Sequence, residues 1–240
     1  MSDTHVLLVA ANPAVSTTTG WPVGFWASEL THPWYEFSEV GYKLTIASPK
    51  GGVIEPDALS DPRDASGYSA KDLISRGFLE TPALAALLDD TVRLSDVDLD
   101  SYDAIVVCGG QAPMFTFRDD ADIKSALAHF YEAGKTTAAL CHGVAALIDV
   151  EVDDGYLISG KTMTGFANVE EAAVDAIVGQ KVMPWHIEDA ARERGAEYVE
   201  GGLWQPFAVR DGNLITGQQQ YSGRAVAELV IAALTAESGQ

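Results

Sequence analysis

A chain of 240 residues, 47% hydrophobic and 21% charged, is long enough to bury the core of one large domain and too apolar to stay disordered or form a fibre. Its 15 Lys+Arg against 35 Asp+Glu give a formal net charge of -20, which repels a nucleic-acid backbone from any broad surface and suits a saline cytosol as well as an ordinary one. The opening MSDTHVLLVAAN has no basic flank, no stretch reaches membrane-spanning length, and two cysteines make no disulfide framework. The expected setting is a reducing cytoplasm, with neither membrane nor nucleic acid as partner.

Residues 5–10 form a short aliphatic run closed by Asn-Pro and read as a strand buried on both faces. Helical spacing follows over 24–40 and a strand over 43–47. Residues 49–77 are rich in Gly, Pro, Asp and Ser without periodicity, a long surface excursion of the kind that borders a site. Beyond it come a helix at 81–91, a strand at 104–107, a helix at 119–133, a strand at 136–140 and a short helix at 143–148. The second half holds helices at 169–178 and 184–194, strands at 207–210 and 213–216 around the hairpin signal Asp211-Gly212, and a closing helix at 222–234. This alternation predicts an α/β fold with a mostly parallel central sheet and helices on both faces, as one domain over 1–240.

In such a sheet, ligands sit beyond the carboxyl ends of the strands. Two strands there end in Cys108-Gly109-Gly110-Gln111 and Cys141-His142-Gly143. The second leads straight into a run of small residues, so Cys141 occupies a nucleophile elbow, where helix-start N–H groups stabilise a thiolate or an oxyanion. A free cysteine is often only a small buried apolar residue; the adjoining His142 and Gly143 favour a reactive thiol at Cys141, whereas Cys108 reads as packing. Glu29 lies among Phe25, Trp26, Leu30 and Trp34, where a carboxyl would be desolvated and its pKa raised. No His, Cys and carboxylate cluster has zinc spacing, and His5, His32 and His129 read as isolated.

The chain resembles the DJ-1/PfpI superfamily, and within it the Hsp31-like glyoxalase III branch. The resemblance rests on Thr19-Gly20 with Glu29-Leu30-Thr31-His32-Pro33, on Cys108-Gly109-Gly110, and on the run from Ala139 to Leu147 around Cys141-His142-Gly143. It continues in Gly160-Lys161-Thr162-Met163-Thr164-Gly165-Phe166 with Glu171 after it, and in Leu214-Ile215-Thr216-Gly217. It implies a flavodoxin-like three-layer sandwich, with Cys141 as nucleophile, Glu29 as the facing carboxyl, His142 for proton transfer and Glu171 orienting the imidazole. Glu170 is adjacent to Glu171, and a helix would point the two in different directions, so one of them meets His142. Gly110 and His142 are placed to give the N–H donors of an oxyanion hole. Where these relatives usually carry His-Gly, this chain has Gln111-Ala112; where they carry Asn-Pro and a Ser-containing turn, it has Gln218-Gln219-Gln220-Tyr221-Ser222. Gln111 and Gln218 are therefore the expected substrate-binding residues at the pocket mouth.

The activity implied is that of a cofactor-independent glyoxalase III, converting methylglyoxal or glyoxal to D-lactate or glycolate through a hemithioacetal on Cys141, with no metal and as a homodimer. The same elbow would serve a peptidase, amidase or isocyanide hydratase, and an oxidisable Cys141 would serve a low-turnover chaperone or redox sensor. An amidotransferase-like hydrolase using His186-Ile187-Glu188 is disfavoured, because the elbow lacks that family's Gly-x-Cys-x-Gly-x-Gln pattern. The 49–77 excursion is a plausible part of the dimer interface.

Overall fold

The computed structural model describes residues 4–153 and 155–237. Its central sheet has seven strands: β1 (His5–Val9), β2 (Lys43–Ser48), β3 (Val92–Arg93), β4 (Ala104–Val107), β5 (Thr136–Leu140), β6 (Ala208–Asp211) and β7 (Leu214–Gly217). They lie side by side in the order β6-β7-β5-β4-β1-β2-β3, all neighbours parallel except the β6–β7 hairpin. Consecutive side chains point to opposite faces. Val6, Leu8, Val106, Leu140 and Ile215 therefore share one core with Leu30 and Phe37 of α1 (Ala27–Glu39), Phe78 of α2 (Leu73–Glu80) and Val226 of the last helix. Leu7, Val9, Ile105 and Ala139 share the other with Ile123 and Leu127 of α3 (Ala121–Glu132). Helices α4 (Asn168–Val178) and α5 (Ile187–Glu193) add Val174 and Ile187 to that second face, and α6 (Gly223–Glu237) completes the first. Leu7, Leu8 and Ile105 have no exposed surface, and each such side chain is worth about 1.5–3 kcal/mol. The result is the flavodoxin-like three-layer sandwich.

This topology fixes where chemistry can sit. From β1 the chain crosses to β2 on one side, while from β4 it crosses to β5 on the other, so the connections diverge and leave a crevice at the carboxyl ends of the neighbours β1 and β4. Beside them, β5 ends at Leu140 and delivers Cys141 to the rim. The run expected to be helical over 143–148 is a 3-10 helix, Cys141–Leu147, that starts at the cysteine itself. A Cβ on Gly143 would stand 2.6 Å from the Val107 carbonyl oxygen, so this turn packs directly on β4.

The strands and most helices fall within a few residues of their expected places; the region between β2 and β4 does not. The helix expected over 81–91 is shorter, a single α-helical turn at Pro82–Ala85 continued by a 3-10 turn at Ala86–Leu88 before β3, and α2, which ends at Glu80, precedes it. The cause is Pro82, which keeps Thr81 extended at φ -86°, ψ 111° and stops α2. The start of α2 is set by Asp72, whose side chain accepts the Ser75 N–H at 3.1 Å. That Asp, with the apolar residues after it, was a helix signal inside a stretch read as surface excursion. The small pairings Ala14–Val15 with Pro22–Val23, Glu151–Val152 with Gly155–Tyr156, and Thr162–Met163 with Glu197–Tyr198 are too short to show a period in sequence.

Candidate active site

Cys141 has φ 55°, a left-handed conformation costly for a residue with a Cβ. It is almost wholly buried, and its sulfur lies 3.9 Å from His142 Nδ1. His142 Nε2 is 3.0 Å from Glu171 Oε1, and the ring stacks on Phe166 at 4.2 Å. The ring thus bridges the two groups, with Nε2 toward Glu171 and Nδ1 toward the sulfur. Glu170 points elsewhere. Its carboxylate accepts from Gln218 Nε2 at 2.9 Å, from Ala167 N and from Trp204 N, and so ties together the wall behind the imidazole.

Glu29 comes from the first turn of α1, whose N-terminus is held against the site by backbone contacts: Trp26 N donates to the Gly109 carbonyl at 3.0 Å, and Ala27 N to Ser60 Oγ at 3.0 Å. Glu29 has no exposed surface, and its Oε2 accepts the Gly109 N–H at 2.8 Å. Burial pushes this carboxyl up to about 8, against the opposing pull of the Cys141 thiol and the Gly109 N–H. Glu29 interacts with the Cys141 thiol, and its Oε1 is a buried oxygen with no other partner. Burial, then the charge of Glu29, raises the Cys141 thiol, while the His142 backbone N–H lowers it. One negative charge fits between the two groups; two do not.

The Gly109-Gly110 pair is required by close approach. A Cβ on Gly109 would stand 2.6 Å from Glu29 Oε2 and 2.8 Å from the amide nitrogens of His142 and Gly143. One on Gly110, where φ is 110°, would stand 2.4 Å from Trp26 N. Among the described residues the Gly110 N–H has no backbone acceptor. Cys108 lies beneath this turn, fully buried among Leu140, Ile215 and their neighbours, and burial raises its thiol.

Over Cys141 opens a pocket of about 170 Å³, lined by Trp26, Gln111, His142, Phe166, Trp204 and Gln220 among others. Glu29, Cys141, His142, Glu171, Gly110 and Gln111 thus come together as the sequence predicts. Gln218 does not: it is fully buried, with Oε1 accepting from Gly201 N and Nε2 donating to Glu170, so it braces the wall, and Gln220 takes the place at the pocket. His32 and His129 are not isolated; they meet Asp72 at 2.9 Å and Asp100 at 3.0 Å, away from the pocket lining. Among the described residues no three His, Cys, Asp or Glu side chains converge as a metal site.

Sequence reasoning missed Asp57. This buried carboxyl accepts Gly24 N at 2.8 Å and Gln111 N at 2.7 Å, and clamps the Gly110 turn to the strand before α1. Burial raises it to about 7, the two N–H donors opposing. Nothing in the pattern around it could mark it, because its partners are backbone groups distant in sequence.

The DJ-1/PfpI family profile matches residues 22–233. The chain is 28% identical over 221 residues to glyoxalase 3 of Candida albicans, covering 89% of this chain and 91% of that protein. It is 29% identical over 223 residues to the glutathione-independent glyoxalase HSP31 of Saccharomyces cerevisiae, covering 90% and 91%. Among solved structures, the Francisella tularensis rapid encystment protein of 24 kDa superposes with a TM-score of 0.85 at 32% identity, covering 95% of this chain and 97% of that one. Candida albicans glyoxalase III superposes with a TM-score of 0.80 at 27% identity, covering 96% and 97%. With its elbow cysteine at the end of a central strand and this likeness along nearly its whole length, the chain belongs to the DJ-1/PfpI family.

Proposed function

We propose that the protein is a cofactor-independent glyoxalase of the glyoxalase III type, turning methylglyoxal or glyoxal and water into D-lactate or glycolate. The observation that carries this reading is the set Glu29, Cys141, His142 and Glu171, a thiol in contact with a buried carboxyl and with an imidazole that meets a second carboxyl, at a largely apolar pocket. Relatives named as glutathione-independent glyoxalases support it.

The Cys141 thiolate forms a C–S bond with the aldehyde carbon, and the carbonyl oxygen, held by the N–H groups of Gly110 and His142, takes a proton to give a hemithioacetal. A base removes the hydrogen on that carbon, its electron pair forms the double bond of an enediol, and the π pair of the neighbouring carbonyl moves to its oxygen, which takes a proton. Reprotonation at the neighbouring carbon and loss of the hydroxyl proton leave a thioester. Water adds, the C–S bond breaks, and the 2-hydroxy acid leaves with the thiolate restored. One substrate carbon is oxidised and its neighbour reduced, so atoms and electrons balance without an external oxidant or reductant. Glu29, protonated near neutral pH, permits the thiolate beside it and carries a proton; His142 Nδ1, fixed through Glu171, is the second carrier.

The protein acts as a homodimer in a reducing cytoplasm, a setting its free thiols suit. Its net charge of -20 disfavours nucleic acid as a partner. The test is stereospecific detection of D-lactate from methylglyoxal with purified protein and Cys141→Ser: turnover by the first alone is expected, and equal rates, or none, would overturn the reading.

A further inference from the structure

We infer that the pocket over Cys141 selects uncharged 2-oxoaldehydes whose second substituent is an apolar chain or ring, in preference to the methyl group of methylglyoxal. This rests on the proposed reaction. The polar side chains of the lining are few, chiefly Gln111, Cys141, His142, Glu171 and Gln220. Most of the rest is apolar, including Trp21, Trp26, Phe166, Val182, Met183 and Trp204. Among the described lining residues there is no Lys or Arg. A carboxylate or phosphate on the substrate would lose its water without gaining a counter-ion, in a chain of net charge -20.

The apolar lining continues to the rim. Trp21 and Ile177, both outside the 49–77 segment, border the pocket and keep large apolar surface in water, Ile177 being 83% exposed. An apolar patch of this kind at a mouth is stabilised when a ligand covers it. A substrate ending in a methyl group offers this apolar lining little surface to cover, whereas a four-carbon chain offers it several buried methylenes. Recognition of the reacting end needs no charge either: Gln111 Oε1 is buried without a partner and can accept the hydroxyl of the hemithioacetal.

The experiment compares kcat/KM for methylglyoxal, 2-oxohexanal and 4,5-dioxopentanoate, the last being close in length to the second but ending in a carboxylate, with formation of the 2-hydroxy acid as readout. Expected is a gain of about tenfold or more for 2-oxohexanal over methylglyoxal, with 4,5-dioxopentanoate below both. Ile177→Asp, at an exposed helical position, should lower the ratio of 2-oxohexanal to methylglyoxal. A wild-type ratio at or below one, a ratio unmoved by Ile177→Asp, or equal use of 4,5-dioxopentanoate and 2-oxohexanal overturns the inference, and turnover of methylglyoxal then leaves the glyoxalase reading standing. No turnover of any of the three by folded protein overturns both.

Discussion

Glu29 links the reaction to the stability of the fold. Its carboxyl has an ordinary pKa of 4.5 and is pushed up to about 8 by burial, so between those values the native chain holds a proton that the unfolded chain has released. The stabilising contribution is complete below the lower value and is lost as pH rises through the upper one. Glu29→Gln imitates the protonated form and keeps an acceptor for the Gly109 N–H. Urea titrations at pH 5 and pH 8 should show wild type losing stability between the two, and the variant losing less by an amount on the order of a few kcal/mol. The same variant should lose about 100-fold or more in turnover, because its amide cannot carry a proton. Asp57 gives a separate test. Asp57→Asn replaces one acceptor oxygen with a donor, so either the Gly24 or the Gln111 N–H is orphaned, at a cost of about 1–3 kcal/mol in a thermal melt. The loosened Gly110 turn should lower kcat more than it raises KM. Of these two carboxyls the sequence displayed only Glu29, which stands among aromatic residues in a recognisable motif; Asp57 is bound entirely by backbone and leaves no side-chain pattern to read.

Among the elements, those that hold the nucleophile were legible because burial on both faces excludes charged residues from them, leaving Ala-Ile-Val-Val in β4 and Thr-Thr-Ala-Ala-Leu in β5. β4 and β5 occur at the residues their composition marks, and the Gly-Gly and Cys-His-Gly junctions mark their ends. The stretch between β2 and β4 was harder, since α2 packs one face on α1 while Leu73 and Ile74 stay in solvent, which weakens the period that would reveal it. The Gly-Gly turn is the element most exposed to a single substitution. Gly110→Ala would place a methyl group 2.4 Å from Trp26 N in a backbone region that L-residues avoid. The expected result is a loss of at least about 1–3 kcal/mol, with turnover falling further than stability alone explains; an unchanged melting temperature would show that α1 can withdraw.

At the scale of the molecule, 35 acidic against 15 basic residues leave a surface that repels itself, so moderate salt should raise the melting temperature by screening. A homodimer should appear by light scattering at micromolar concentration, and a monomer there would remove the expectation that residues 49–77 serve an interface. The pairing of β5 with β7 has a consequence in time. The strand that ends at Cys141 is flanked by β4 on one edge and by β7 on the other, and β7 spans Leu214–Gly217, near the end of the chain. Gln220 and Trp204, which border the pocket, are also late residues. While the protein is being synthesised, Cys141 therefore leaves the ribosome before the strand that flanks it and the residues that complete its pocket. The pocket needs these late residues docked, so recovery of turnover in a refolding experiment should not run ahead of the global fluorescence change.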